Sequence, residues 1–388
     1  MTDSLIQFIR DTYQSKEFIP LHAPTFNGNE KQYVADTIES TFVSSVGQYV
    51  DKFEQHIEKF TGTRKAVAVV NGTSALHTAL YMSGIKNGDL VITQALTFVA
   101  TCNALYHMGA APIFVDVSLN TLGLCPKATE AYLEEYAVLN ENGECIHRQS
   151  KQHIKAVMPM HTFGHPVELD ELLIVCKKFN LLLIEDAAES LGSFYKDKHT
   201  GTFGDYSAIS FNGNKIITTG GGGMVLCHSN DAGLHTKHIT TTAKQPHPFE
   251  FYHDEPGFNY RLPNINAALG CAQMEVLPDF LKKKRLLAHH YQDFFKNSDF
   301  TFVKEPEHCQ SNYWLNAIIC PDMVSRDNLI KETNARDVMT RPIWKLMHRL
   351  PMFKNAYRGS LINSKFIESR LVNLPSSAIN IGNKLCVK

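Results

Sequence analysis

Two residues of this sequence, Lys215 and Asp186, have the types and the spacing needed for covalent chemistry on a carbonyl compound. Lys215 follows the short apolar run Ala208–Phe211 and precedes four consecutive glycines, Gly220–Gly223. Asp186 ends the apolar run Leu181–Glu185 and lies 29 positions before the lysine. A lysine amine can form a Schiff base, and a carboxylate at a strand end can hold a protonated pyridine nitrogen. The pair therefore predicts a site for pyridoxal phosphate.

Both residues also have ordinary interpretations. Most lysines are solvated surface residues, but no Asp or Glu lies within nine positions of Lys215 on either side. Such an uncharged segment predicts a partly buried amine, and desolvation favours attack by that amine on a carbonyl. Asp186 could equally be the N-cap of a following helix, since Asp is a good cap and two alanines come next. A cap and a cofactor ligand do not exclude each other.

Other strand ends could complete such a site. The turn Asn71-Gly72-Thr73-Ser74 leads from a strand into a helix, and the amides and the dipole of a helix N-terminus favour phosphate. This turn has neither the lysine of a P-loop nor the spacing of a dinucleotide-binding motif. Phe98 follows another strand, where its ring would either pack in the core or stack on a cofactor ring. His161 ends a further strand and is interpreted as a hydrogen-bonded structural histidine.

These residues lie at the ends of short aliphatic runs that alternate with helical patterns between residues 65 and 230. The runs lack polar alternation, as expected for strands that are covered on both faces. The rhythm predicts a three-layer α/β/α domain with a mostly parallel, seven-stranded sheet, at whose carboxyl edge ligands collect. The predicted strands are Ala66–Val70, Leu90–Thr93, Ala111–Val115, Ile154–Met160, Leu181–Glu185, Ala208–Phe211 and Met224–Cys227.

The pattern divides the chain into three predicted parts. Residues 1–20 form an N-terminal helical segment, residues 21–275 form the large domain, and residues 276–388 form a smaller α+β domain. Within the large domain, residues 137–153 are interpreted as an inserted loop and residues 240–256 as a surface excursion.

Composition excludes several classes of function. A formal net charge of −1 gives no reason to expect nucleic acid or an anionic membrane as a partner. Nine cysteines without a C-x-x-C pair predict reduced thiols, and the histidines offer no H-x-x-x-H pair on a predicted helix, so we expect no metal site. No apolar run reaches the roughly 18 residues of a membrane span. We therefore expect a soluble, cytoplasmic protein.

Taken in order, these blocks resemble the DegT/DnrJ/EryC1/StrS sugar aminotransferases, which have the fold-type I architecture of pyridoxal phosphate enzymes. The resemblance runs from about Pro20 to Pro375 and includes Gly257–Gly270, a block typical of the family. It implies a transaminase that carries pyridoxal 5′-phosphate, with pyridoxamine phosphate as its half-reaction form and L-glutamate as the amino donor. It also implies a homodimer with shared active sites.

The resemblance further implies a role for each site residue. Lys215 and Asp186 would be the catalytic pair, with the lysine holding the cofactor and the aspartate pairing with its ring nitrogen. Arg341 and His348 would face the sugar nucleotide, since the forked donors of Arg suit a diphosphate. The implied cofactor contacts are Gly72, Thr73, Phe98, Asp186, Glu189, Ser210, Lys215 and, from the neighbouring subunit, Asn259.

Two N-terminal stretches narrow the resemblance. Leu21–Glu30 and Thr41–Glu54 are similar to the subgroup that aminates C4 of UDP-2-acetamido-4-keto-2,6-dideoxyglucose, on routes to legionaminic acid and bacillosamine. The expected product is a 4-amino sugar for a polysaccharide such as lipopolysaccharide O-antigen. Because substrate choice can change with a few loop residues, GDP- and dTDP-keto sugars, of the perosamine type or the 3-amino type, remain as alternatives.

Three departures from the family pattern stand near the lysine. Glu189 replaces the more frequent Gln, Asn212-Gly-Asn214 replaces a His-Pro pattern, and the glycine run has Gly where an acid often lies. A carboxylate beside the cofactor's phenolate oxygen predicts that the two groups share a proton. Lys215 argues against the family's dehydratases, which carry His there. The alternatives of other classes are a non-catalytic regulatory protein of this fold and an NAD-dependent nucleotide-sugar dehydratase or epimerase.

Overall fold

Seven strands form the central sheet of this protein, whose computed structural model describes residues 1–381. Each of the seven coincides with one of the predicted runs. The strands of the described residues are β1 (Lys65–Val69), β2 (Leu90–Gln94), β3 (Ala111–Val115), β4 (Ala137–Leu139), β5 (Cys145–His147), β6 (Ile154–Val157), β7 (Leu182–Asp186), β8 (Phe194–Tyr195), β9 (Lys198–His199), β10 (Tyr206–Ser210), β11 (Gly223–Cys227), β12 (Thr301–Phe302), β13 (Cys309–Gln310), β14 (Asn316–Ile319), β15 (Arg341–Pro342) and β16 (Leu371–Leu374).

Helices fill most of the intervals between these strands and cover the central sheet. Three short 3-10 turns, at Thr162–Gly164, Met347–Arg349 and Pro351–Phe353, occur in addition. The α-helices are α1 (Thr2–Tyr13), α2 (Glu30–Glu39), α3 (Gln48–Thr61), α4 (Gly72–Met82), α5 (Val99–His107), α6 (Pro126–Tyr136), α7 (Leu169–Phe179), α8 (Asn230–Thr240), α9 (Asn264–Phe295), α10 (Met323–Ala335) and α11 (Ile362–Arg370).

The central sheet has the order β1-β11-β10-β7-β6-β2-β3 and is parallel except for β11, which is antiparallel to both of its neighbours. Its strands are almost wholly buried, as their unbroken aliphatic sequences require. The register of β7 and β10 pairs Asp186 with Ala208, so the carboxyl ends of these two strands lie side by side. The predicted α/β fold with a mostly parallel seven-stranded sheet is confirmed.

A second, smaller sheet lies in the C-terminal part of the chain. It is antiparallel, with the order β12-β14-β16-β15, and packs with α1 and the second half of α9 around buried residues such as Leu5, Tyr291 and Val372. Helix α9 is continuous across positions 275 and 276, where the sequence pattern places a domain boundary. That division stays a prediction, and its last stretch, residues 382–388, lies outside the described residues.

Two surface segments of the large domain differ in character. Residues 137–147, within the predicted loop 137–153, form the β4–β5 hairpin, so that part is regular structure. The excursion 240–256 contains the two most exposed aromatic side chains, Phe249 at 90% and Phe251 at 81% exposure. Among residues 1–381 no helix has both the length and the apolar character needed to cross a membrane.

Candidate active site

A cavity of about 300 Å³ opens at the carboxyl edge of the central sheet, where β1, β7 and β10 end. Its size is at the lower end of the range for small-molecule sites. It brings together seven of the residues singled out from the sequence. Its lining comprises Asn71, Gly72, Thr73, Leu76, Phe98, Ala100, Met160, Asp186, Ala188, Glu189, Ser210, Asn212, Asn214, Lys215, Gly221, Gly222, Trp314 and Trp344.

Lys215 reaches this cavity from the turn that follows β10. Its side chain is only 12% exposed, as the uncharged sequence around it predicts. The amine lies 3.3 Å from the Oε1 atom of Glu189 and 3.8 Å from the centre of the Trp314 ring system. A lysine in this setting has a fixed environment and an open side towards the cavity, which is what a nucleophilic amine requires.

Asp186 ends β7 and is 2% exposed. Its carboxylate accepts hydrogen bonds from the Thr101 hydroxyl at 2.7 Å and from the Ala188 amide at 3.2 Å, and burial raises the pKa of Asp186. The predicted N-cap role is wrong, because a turn and not a helix follows Asp186 in the described chain. A buried carboxylate with only two neutral donors attracts a cationic partner from the cavity.

The turn after β1 is built for close backbone contact. The Asn71 side chain caps α4 by accepting the Ser74 amide at 2.8 Å, and the first amides of any helix have no partner within it. A Cβ on Gly72 would lie 2.8 Å from the Cβ of Ser210, so only glycine fits there. Likewise, a Cβ on Gly223 would lie 2.4 Å from the Asn71 carbonyl oxygen. Gly223 in the glycine run therefore packs against this turn of the same chain.

Glu189 lies deep beside the lysine. Its Oε2 atom accepts the Phe163 amide at 2.9 Å, and Phe163 has the left-handed φ of 56° that few non-glycine residues adopt. Burial raises the pKa of Glu189 to about 7, against the opposing effect of the Lys215 ammonium. A carboxyl group with this pKa is half protonated near pH 7, and its sharing of a proton with the cofactor stays a prediction.

The residues of the cavity fit pyridoxal phosphate. The N-terminal turn of α4 and the Ser210 side chain line the cavity together, and the amides of such a turn with a hydroxyl beside them suit a phosphate. The Asp186 carboxylate suits a protonated ring nitrogen, and Lys215 would supply the amine that carries the aldehyde carbon. Phe98, 46% exposed, offers a ring to the cavity and so is not a core aromatic.

Three predicted site residues lie away from this lining within the chain. The Asn259 side chain accepts a hydrogen bond from Arg261 at 3.0 Å, and its role in a neighbouring subunit stays a prediction. Arg341 is exposed and donates to the side chain of Asn334 at 2.9 Å. The Nδ1 atom of His348 is buried and has no hydrogen-bond partner within residues 1–381, and burial lowers the pKa of His348. Their contact with a sugar nucleotide also stays a prediction.

Two other polar groups lie outside the cavity lining. His161 is fully buried and bonds Glu185 at 3.0 Å, which confirms its interpretation as a structural histidine. On the surface, His238, Asp254 and Glu255 bring three candidate metal-ligand atoms within 4.8 Å of one another. His238 already pairs with Asp254 at 2.7 Å there, and the group lies outside the cavity lining.

Sequence reasoning missed the two tryptophans of the lining. Trp314 and Trp344 come many residues after the last strand of the central sheet, and neither lies in a strand-to-helix turn of that sheet. Their rings join Phe98 and Phe163 in an aromatic group, with centre-to-centre distances of 5.4 to 6.5 Å. One signal was available, since these are the only tryptophans in the sequence.

Known proteins match this chain over nearly its whole length. The family described as the DegT/DnrJ/EryC1/StrS aminotransferase family matches residues 24–380. GDP-perosamine synthase of Escherichia coli O157:H7 is 37% identical over 362 residues, which are 93% of this chain and 93% of the relative. EpsN of Bacillus subtilis, assigned by its name to the pyridoxal phosphate-dependent aminotransferases, is 35% identical over 339 residues, covering 87% of this chain and 84% of the relative.

A solved structure shares the fold. PseC of Helicobacter pylori, an aminotransferase involved in the biosynthesis of pseudoaminic acid, superposes with a TM-score of 0.82 at 24% identity. The superposition covers 92% of this chain and 94% of that chain. At this identity the likeness concerns the fold alone.

Proposed function

This chain belongs to the DegT/DnrJ/EryC1/StrS aminotransferase family and is a pyridoxal phosphate-dependent aminotransferase, and from that premise we propose that it aminates a UDP-linked keto sugar. The acceptor is UDP-2-acetamido-4-keto-2,6-dideoxyglucose, the donor is L-glutamate, and the product is the 4-amino sugar. The observation that carries the site assignment is the convergence of Lys215, Asp186 and the Gly72 turn on one cavity.

In this proposal each residue holds or moves a defined group. Gly72, Thr73 and Ser210 bind the cofactor phosphate through amides and a hydroxyl, and Asp186 keeps the ring nitrogen protonated. When bound, the cofactor supplies the carbon that carries the amino group and takes up the electron pair left when a C–H bond breaks. Lys215 performs the proton transfer, because its amine takes the proton from the donor's α-carbon and later returns one.

The surroundings of Lys215 support this role. Glu189 and the Trp314 ring restrict the amine on two sides, and Trp344 packs against Phe98 and Phe163 in the same cavity wall. The Lys215 amine acts first on glutamate and then on the keto sugar, so the two half-reactions form a ping-pong cycle. We further propose that the active unit is a homodimer, in which Asn259 completes the phosphate pocket of the partner.

A GDP-linked keto sugar is the second candidate acceptor. It is favoured by the 37% identity with a GDP-perosamine synthase, whereas the UDP sugar is favoured by the stretches Leu21–Glu30 and Thr41–Glu54. The NAD-dependent dehydratase or epimerase is overturned by the family to which the chain belongs.

Amination of matched UDP-, GDP- and dTDP-linked keto sugars by the purified holoenzyme tests the proposal. We expect kcat/KM for the UDP sugar to exceed that for the GDP sugar by about 100-fold or more, since a site built for one base leaves polar groups unpaired with another. NMR of the product should place the new amine at C4. Preference for the GDP sugar would transfer the assignment to the second candidate.

A further inference from the structure

Trp314 contacts the amine of Lys215 from a segment about a hundred residues further along the chain. The ring centre lies 3.8 Å from the Nζ atom, and Trp314 is 4% exposed. A lysine ammonium at this distance from an indole face is attracted by the electron density of the ring. The second partner of the amine, Glu189, is at 3.3 Å, beyond the usual length of a strong ion pair.

Every polar group of Trp314 is bonded, and two of the three bonds go to distant segments of the chain. The indole N–H donates to the Asn214 carbonyl at 2.7 Å, directly beside Lys215 in the chain. The backbone amide donates to the Asn312 side chain at 2.8 Å. The backbone carbonyl accepts the Lys284 ammonium at 3.1 Å, and that buried ammonium also donates to the Ser376 carbonyl. The ring is therefore fixed on the lysine.

We propose that Trp314 is a positioning residue for Lys215. Once the released amine has taken the donor's α-proton, the Trp314 ring holds the resulting ammonium beside the carbon to which that proton passes. This inference rests on the proposed role of Lys215 and adds what keeps that amine in place. An amine on a flexible four-carbon chain loses effective concentration when it is free to turn away, and an error of 1 Å costs about 100-fold in rate.

Trp344 provides the comparison within the same cavity. It lines the cavity too, but its ring pairs with Phe98 at 6.0 Å and with Phe163 at 5.4 Å. Its loss is expected to raise KM for the nucleotide sugar, and its ring makes no contact with the Lys215 amine among those of the described residues.

The direct test of the contact uses the cofactor-free protein, with lysine labelled by ¹³C at the ε-carbon. We expect the ε-methylene signal of Lys215, assigned by its loss in Lys215→Arg, to be displaced upfield by the ring current of Trp314. The displacement should be lost in Trp314→Leu, and it should persist in Trp314→Phe and in Trp344→Leu. A Lys215 signal that is the same in wild type and Trp314→Leu would overturn the contact.

The functional test is the half-reaction with glutamate alone. Trp314→Leu should slow it by about 10- to 100-fold with an unchanged KM, and Trp314→Phe should restore the rate to within about fivefold of wild type. The primary isotope effect with α-deuterated glutamate should rise in Trp314→Leu, because proton transfer then limits the rate. An unchanged isotope effect and rate would reduce Trp314 to a packing residue.

If Trp314→Leu does not fold, a series of tryptophans with increasing numbers of fluorines at position 314 tests the proposal instead. In a Trp344→Phe background, fluorinated tryptophan at position 314 weakens the attraction for a cation without changing the shape of the ring. The half-reaction should slow progressively with the number of fluorines, and a flat series would contradict the proposal. If wild-type protein showed no half-reaction, the proposed function would fail, whereas the NMR comparison would still decide the contact.

Discussion

The cofactor cavity has two sides that are built differently: a sheet side, comprising Gly72, Asp186, Ser210 and Lys215, and a tryptophan side, comprising Trp314 and Trp344. The sheet side lies at or just beyond the ends of β1, β7 and β10, three strands of one sheet. The tryptophan side comes from segments around the small sheet. Strand register fixes the first side, whereas contacts between distant segments fix the second.

In this account, the reacting groups and the residues that restrict them therefore lie in separate parts of the fold. In the proposed function, the sheet side holds the groups that bind the cofactor and move protons. The tryptophan side restricts those groups, and it depends on bonds such as that between Lys284 and the Trp314 carbonyl. Changes on the sheet side should therefore abolish activity, and changes on the tryptophan side should alter rates, stability and substrate preference.

The largest expected effect is that of Lys215→Ala. Losing both the covalent attachment and the proton carrier should lower kcat by at least about 10⁴-fold. Lys177→Ala, at an exposed position of α7, is the matched control and should keep full activity. If Lys215→Ala turned over at a tenth of the wild-type rate, Lys215 would not be the residue that carries the cofactor and transfers the proton.

Asp186→Asn should follow, with a loss of about 10²- to 10³-fold in kcat. The amide has the shape of the carboxylate, but it cannot keep a ring nitrogen protonated, so the cofactor takes up the electron pair less well. The control is Asp205→Asn. Asp205 lies just before β10, at the end of that strand away from the cavity, so its change should have little effect on kcat. Equal activities of the two variants would contradict the assigned role.

Lys284 links the tryptophan side to folding stability. Burial lowers the pKa of Lys284 to about 7, below the ordinary value of 10.5, so the folded protein carries the cost of this buried cation at pH 7 and below. The free energy of unfolding of wild type, relative to Lys284→Met, should therefore rise from pH 7 to 10.5. The slope is on the order of 1.4 kcal/mol per pH unit within this window.

Urea unfolding at several pH values measures this slope. The control is Lys282→Met, which removes an exposed lysine near Lys284 and should leave the rise in the free energy of unfolding between pH 7 and 10.5 in place. If the difference in the free energy of unfolding between wild type and Lys284→Met did not change with pH, the charge on Lys284 would not destabilise the folded state.

The smallest expected effect is that of Glu189→Gln. Below pH 7 the carboxyl group of Glu189 is protonated and resembles the amide, so the two proteins should have similar rates there. Above pH 7 their rates should diverge by less than about tenfold, as the wild-type group loses its proton. Parallel pH–rate profiles for the two proteins would show that this proton does not matter.

Much of the sheet side could be predicted from the sequence because it follows local rules. An aliphatic run in the sequence indicates a buried strand, and the polar residue after the run indicates its end. Parallel strands bring such ends together at one edge of the sheet. Gly72 could be selected as part of a turn, although only the structure shows the contact with Ser210 that requires a glycine.

The tryptophan side could not be predicted in this way. Trp314 is separated from Lys215 by about a hundred residues, and the hydrogen bond that brings them together involves a backbone carbonyl, which no side-chain pattern marks. The same holds for the turn after Asp186, since Asp-Ala-Ala suits a helix locally and the tertiary structure decides otherwise.

Reduction of the holoenzyme with borohydride, followed by peptide mass mapping, tests the central claim most directly. We predict a pyridoxyl group on the peptide that contains Lys215 and on no other peptide. The other buried lysine, Lys284, should remain unmodified, because it is fully enclosed and bonded to carbonyl oxygens. A label on Lys284 or elsewhere, or no label after reconstitution with the cofactor, would contradict the account.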